Sequence, residues 1–417
     1  MGVSDLVDKI RQGRQEVICV LPSRKMSTND ACDLAEALKT NTTLLQFYAS
    51  GHPIGLAAIQ AFAAMLKRNV TLKKLCIGDA EMGDLGIIAL AEGLRENKAL
   101  VELDLERRGF GPDGAVALST VLELHPSLEV LNISRNELND QSITALSQGL
   151  AKAINLCVYQ CNDQAFGRTG VLALASMLAK HPSLTDISMA QNDMQDGQES
   201  LADAIRLSKL EVVNLEACEL STGFVKELGV PCRSLSLVEL NLNRNQLQAQ
   251  DAPYLVQIMK QCRQMKKLHL GHNSLTDVGA EILATHLSQP NTDPLELLDL
   301  SKNELSCTSM NTLLIGAKIG ELRLFQNALG DGATTVTSAL RSNTQLKVLD
   351  LGANELHRER AVCILDALRY NTTLEVLEFG GNDLGQIGLD KLEQLKQDNP
   401  RLDVAADKKA TDNNPSP

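Results

Sequence analysis

Two periods alternate along almost the whole chain. In "LEVLNISRNEL", from Leu128, and "LKVLDLGANEL", from Leu346, leucines hold the first, fourth, sixth and eleventh places or their equivalents, so the central LxL alternates inward and outward. Alternation of this kind predicts a short strand with one buried face. Behind the strand motif come segments such as "TDVGAEILATHL", where Ala280, Leu283, Ala284 and Leu287 recur at helical spacing and form an apolar stripe. Each unit therefore reads strand, loop, helix.

The unit repeats. "LKKLCIGDAEM" from Leu72, "LVELDLERRGF" from Leu100, "LEVLNISRNEL" from Leu128 and "LCVYQCNDQAF" from Leu156 stand 28 residues apart. Further units begin at Leu184, Leu210, Leu237, Met265, Leu295, Ile319, Leu346 and Leu374, with Leu44 opening the clear series. A degenerate unit around Cys19 and Leu21 precedes them, and the substitution of His52, Ala80, Arg108 and Gln164 for the motif Asn predicts a less regular N-terminal third. Residues 16–400 are expected to form one repeat array of about 14 units. A helical cap over 1–15, with Ser4 as its N-cap, and a terminal strand stub with a disordered tail over 401–417 complete the predicted organisation. Because parallel strands stack about 4.8 Å apart while helices are about 10 Å across, one-to-one pairing forces curvature. The predicted fold class is α/β, a curved solenoid or horseshoe with parallel strands on the concave face and helices on the convex face. Its concave wall would run on the order of 60 Å along the arc.

The stretch "GFGPDG" at 109–114 spells GxGxxG between a strand and a helix, the outline of a dinucleotide cradle. That reading needs an acid on the next strand, where Val130, Asn132 and Ser134 stand instead. Gly114 has counterparts at Gly86, Gly170, Gly279 and Gly388, and Gly111 at Gly83, Gly167 and Gly385. Glycines repeated at a fixed interval serve the architecture, and no cofactor is expected. The motif Asn, at Asn136, Asn192, Asn245, Asn273, Asn303, Asn327, Asn354 and Asn382, is expected to satisfy backbone groups of the turning loop, with Cys218 standing in for it once. Asn41, Asn69 and Asn343 suit left-handed positions at helix ends, and His125 and His181 share their phase as turn residues.

The LxxLxLxxNxL motif with a full helix in a 28-residue unit resembles the ribonuclease-inhibitor type of leucine-rich repeat, in "LVELNLNRNQL", "LELLDLSKNEL" and "LKVLDLGANEL" among others. That class includes ribonuclease inhibitor, Ran GTPase-activating protein and the repeat arrays of NOD-like receptors. The resemblance implies a non-enzymatic scaffold or adaptor that binds another protein on its concave face. Its alternative implication is a GTPase-activating regulator of a small GTPase like the Ran activator, which single-turnover GTP hydrolysis would separate from the first.

Composition narrows the partner. With 40 basic against 52 acidic residues the net charge of −12 opposes general affinity for nucleic acid or anionic membrane. No apolar run is long enough to span a bilayer, and "MGVSDLVDKIRQG" carries no secretory or myristoylation signal, so a cytoplasmic or nuclear location is expected. Ten scattered cysteines without a CxxC pair read as reduced thiols. Cys161 takes an inward site and Cys157 precedes the strand, so the two are not a metal clip.

Function can reside only where the grid leaves side chains free: the third and fifth places of each unit, facing the concave side, and the seventh and eighth at its rim. Phe47, Phe110, Phe166, Phe379 and Tyr159 fall on inward places, whereas Tyr48 and Phe325 do not. Exposed aromatics beside charge are common binding hot spots, and Phe325 is expected to lie among Arg323, Glu321, Lys302, Asp299 and Asp350. Lys267, His269, His272 and Arg244 form a basic stretch suited to an acidic segment, and Glu102, Asp104 and Glu106 an acidic one suited to a basic partner. His269 and His272 have no third ligand in register for a metal. The interval is most disturbed between Met265, Leu295 and Ile319, where "LSQPNTDP" lengthens a loop as surface drift allows.

Overall fold

A computed structural model describes residues 3–194, 196–232, 235–330 and 333–406. The expected disordered tail lies, from 407 onward, outside the described residues. The chain divides into two compact units, residues 1–219 and 220–417.

In the first unit the strands are β1 (Val17–Cys19), β2 (Gln46–Ser50), β3 (Lys74–Gly78), β4 (Glu102–Asp104), β5 (Val130–Asn132), β6 (Val158–Gln160), β7 (Asp186–Ser188) and β8 (Val212–Asn214). They run parallel in chain order, and the central apolar residues form one register row, Leu75, Leu103, Leu131, Tyr159, Ile187 and Val213. In the second unit β9 (Glu239–Asn241), β10 (Lys267–His269), β11 (Leu295–Asp299), β12 (Ile319–Arg323), β13 (Val348–Asp350), β14 (Val376–Glu378) and β15 (Asp403–Ala405) repeat the arrangement. Their row is Leu240, Leu268, Leu298, Leu322, Leu349, Leu377 and Val404. Strand alternates with helix throughout, and the fold is a leucine-rich-repeat solenoid.

The helices exist because each must bury one stripe. In Thr276–Leu287 the expected Ala280, Leu283, Ala284 and Leu287 are all fully buried, while Val278 on the other face is exposed. Burying one such leucine contributes about 1.5–3 kcal/mol, and within each unit consecutive helices pack against one another. The N-terminal helix Ser4–Gln12 buries Leu6, Val7 and Ile10. Ser4 does not cap it: Val3 holds the N-cap place with no side-chain bond, and Ser4 is the first helical residue.

Successive loops are bolted together by the motif asparagines. Asn327 donates to Leu300 O and Leu324 O, both at 3.0 Å, and accepts from the backbone N–H groups of Asn303 and Leu305. Asn354 and Asn382 repeat this one and two units on. The substituted places in the first unit do the same work, which corrects the expectation of an irregular N-terminal third. His52 Nε2 donates to Val20 O, Arg108 Nε to Ile77 O, Gln164 Nε2 to Ile133 O and Cys218 Sγ to Met189 O. Only Ala80 has no side-chain donor to offer.

A second ladder runs along the helix C-termini. Asn41, Asn69 and Asn343 do not adopt left-handed backbone. Their amides donate to Ile10 O, Leu38 O and Leu314 O of the preceding unit, and their carbonyls accept from Leu44, Leu72 and Leu346 N–H. His181 copies them with its ring, donating from Nε2 to Leu150 O and accepting at Nδ1 from Leu184 N. The selected property is a side chain that reaches across units, which Asn and His share.

Candidate protein-binding face

Wherever a strand has three residues between β4 and β10, and again in β13, its central residue is buried and the two flanking ones half-buried. The third and fifth places thus stand free of the core on one face.

The GxGxxG stretch is closed to phosphate by its own fold. Asp84, from the first turn of the preceding helix, places Oδ1 at 2.7 Å from Gly111 N and 2.8 Å from Gly114 N. A carboxylate already satisfies the helix N-terminus that would cradle a pyrophosphate. Asp140 does the same for Gly167 and Gly170, and Asp277 for Ser306. Gly109, the one glycine outside the repeat, has φ +65° and a Cβ there would stand 2.2 Å from Ala80 O. Its role is steric.

In the second unit, Phe325 is 39% exposed and leans on Gly352, where a Cβ would stand 2.8 Å from the ring. Together with Glu321, Arg323, Asp350 and Glu378 these residues line an open depression, floored further along by Gly380, Gly381 and Ala405. Arg323 Nε bonds Glu321 Oε1 at 2.7 Å. Asp350 takes Gly352 N–H at 2.9 Å, yet burial pushes its carboxyl above the usual carboxylate range. Asp299 and Glu321 push the same way, against the pull of Gly352 N–H and Arg323.

Four of the expected residues, Phe325, Arg323, Glu321 and Asp350, come together here. The others do not. Asp299 is only 7% exposed, and its Oδ1 accepts from Ser301 N, so it is an internal acceptor, not a free flank. Lys302 is exposed on the turn after β11, where its backbone φ is +51° and its N–H bonds Phe325 O. Lys267 on β10 pairs with Glu239 at 3.1 Å, and His269 Nε2 lies 3.3 Å from the same carboxylate without hydrogen-bond geometry. The basic stretch is therefore partly neutralised by its own strand neighbour. Tyr48 in the first unit is half-buried, bonds Gln46 Oε1 through its hydroxyl and lies under Lys74 Nζ. The acidic run is spoken for as well: Glu102 pairs with Lys74, Glu106 with Arg135, and Asp104 accepts from Glu106 N. What sequence reasoning missed is the glycine floor, although Gly352 and Gly380 hold the seventh place in the two units following Phe325.

The leucine-rich repeat family matches residues 125–147, 261–284 and 370–392. Ribonuclease inhibitor of Sus scrofa is 28% identical over 223 residues, covering 44% of this chain and 48% of that one. The chain carries leucine-rich repeats and is similar to proteins of the ribonuclease-inhibitor type. Protein NLRC5 of Mus musculus is 31% identical over 130 residues, covering 31% of this chain but 7% of its own length. The chain thus spans half or less of these relatives. Among solved structures, the Rad7 and Elc1 complex in yeast shares the fold at a TM-score of 0.52 and 18% identity, covering 93% of this chain and 86% of that one. Leucine-rich-repeat proteins generally serve as protein-interaction scaffolds. Among the described residues, no helix is long and apolar enough to cross a membrane, and no three His, Cys, Asp or Glu side chains cluster as metal ligands would.

Proposed function

We propose that this chain is a non-enzymatic scaffold that holds a partner protein against its exposed strand positions, with the depression around Phe325 as the principal contact. The carrying observation is an exposed aromatic ring set over glycines among three carboxylates, Glu321, Asp350 and Glu378, with Arg323 as the guanidinium beside them. Such a surplus of negative charge beside a π-face suits a partner segment presenting Lys or Arg next to an apolar side chain. The strand face is open rather than enclosed, which favours binding over catalysis. Ten free cysteines support work in the reducing cytoplasm or nucleus.

Affinity capture with the intact chain, a Phe325→Ala, Arg323→Ala double variant and an Ile387→Ala control from an exposed helix face tests the proposal. The recovered partner should bind the double variant roughly 30-fold more weakly, as expected of a hot spot worth about 2 kcal/mol. Equal recovery by the double variant would remove the depression from the account.

A further inference from the structure

The unit beginning at Met265 carries two residues more than the usual interval, and a cavity of about 440 Å³ opens beside the longer loop. It lies where helices end and strands begin, lined by Lys260 and Arg263 from one side and by His286, Gln289, Asn291 and Asp293 from the other. The loop is built rather than loose. Lys318 Nζ donates to Pro290 O and Thr292 O, both at 2.8 Å, and Thr292 Oγ1 donates to His286 O.

His286 is the anomaly. It sits just before the last leucine of its helix, a place held elsewhere by Met65, Gly93 and Met177. Buried polar side chains are normally satisfied. This one is only 7% exposed, its Nδ1 is closed off from solvent and the Gln289 side chain lies beside it, so the ring walls the cavity rather than donating into it. Lys260 and Arg263 are exposed and make no ion pair with any described residue. Two unpaired cations thus face one carboxylate, Asp293, across a cavity that also presents two side-chain amides.

We propose that this cavity binds a phosphate monoester, whose oxygens accept from Lys260, Arg263 and the amides of Gln289 and Asn291. A dianion with three terminal oxygens matches several donors arriving from different sides better than a single carboxylate does. The cavity exceeds what phosphate alone needs, leaving room for the group that carries it, whose hydrogen-bond donors Asp293 can accept. The net charge of −12 does not forbid this, because at physiological ionic strength charges beyond about 8 Å are largely screened.

Calorimetric titration of the full chain with inorganic phosphate, glycerol phosphate, a phosphoserine peptide and the same peptide unphosphorylated tests this. Saturable binding of the phosphorylated ligands is expected, weakened about tenfold by either Lys260→Gln or Arg263→Gln, both on exposed positions. Preference for the phosphopeptide over glycerol phosphate identifies a protein side chain as the carrier, and the reverse identifies a small molecule. Absence of saturable phosphate binding, or binding undiminished in the double variant at unchanged melting temperature, overturns the proposal. Neither result bears on the Phe325 depression.

Discussion

At the residue scale, two ionisable side chains sit in opposite circumstances. Arg108 is 2% exposed, and its guanidinium is spent entirely on neighbours: Ile77 O at 2.6 Å, Glu106 O, and Ser50 Oγ at 2.9 Å. Arg108→Met should lower stability by about 2–4 kcal/mol, because it leaves buried carbonyls without donors. Arg108→Gln should lose less in the same urea titration, since Gln164 already fills the equivalent place with a glutamine. Asp350 is the reverse case, an acid whose folded pKa is raised. The folded state holds its proton at pH values where the unfolded chain has released it, so a stability penalty grows as pH rises through the folded pKa and is full above it. Asp350→Asn is therefore expected to melt higher than the parent at neutral pH, with the gain vanishing in acid. No gain at neutral pH would mean that Asp350 is comfortable as an anion and has no need of a cationic partner.

At the scale of the element, three helices begin on a carboxylate supplied by the helix before them, Asp84, Asp140 and Asp277. Asp84→Ala removes the acceptor of Gly111 and Gly114 N–H and should cost about 1–2 kcal/mol in thermal or urea unfolding, with Asp84→Asn costing less. Strands and helices were legible in the sequence because their signal is local. Leu103 and Leu105 alternate across β4 and the residue after it, and Ala280 to Leu287 mark one helix face. The Asp84 and Asn41 ladders were not legible, because each bond joins residues about one repeat apart and nothing inside one unit announces the partner. His125 and His181 were read as turn residues from phase alone, whereas for His181 the decisive property is reach to the previous unit. The candidate site was half legible for the same reason. Phe325 announces itself by its place in the motif, while its glycine floor comes from the next two units, and the burial of Asp299 depends on the turn at Ser301.

At the scale of the whole molecule, repetition separates scaffold from function. Leucines, motif asparagines, helix-start glycines and the aspartates that bond them recur, and each has an internal partner. What does not recur is where we propose recognition: one exposed phenylalanine over glycines in the strand face, and two unpaired cations beside a cavity at its edge. The central claim is that a partner meets the first of these. A photo-reactive benzoylphenylalanine placed at position 325, compared with the same residue at 387 on the helix Gly385–Asp398, measures it most directly. The account predicts that the partner cross-links from 325 and not from 387. Cross-linking from 387 alone would place recognition on the helices and contradict it.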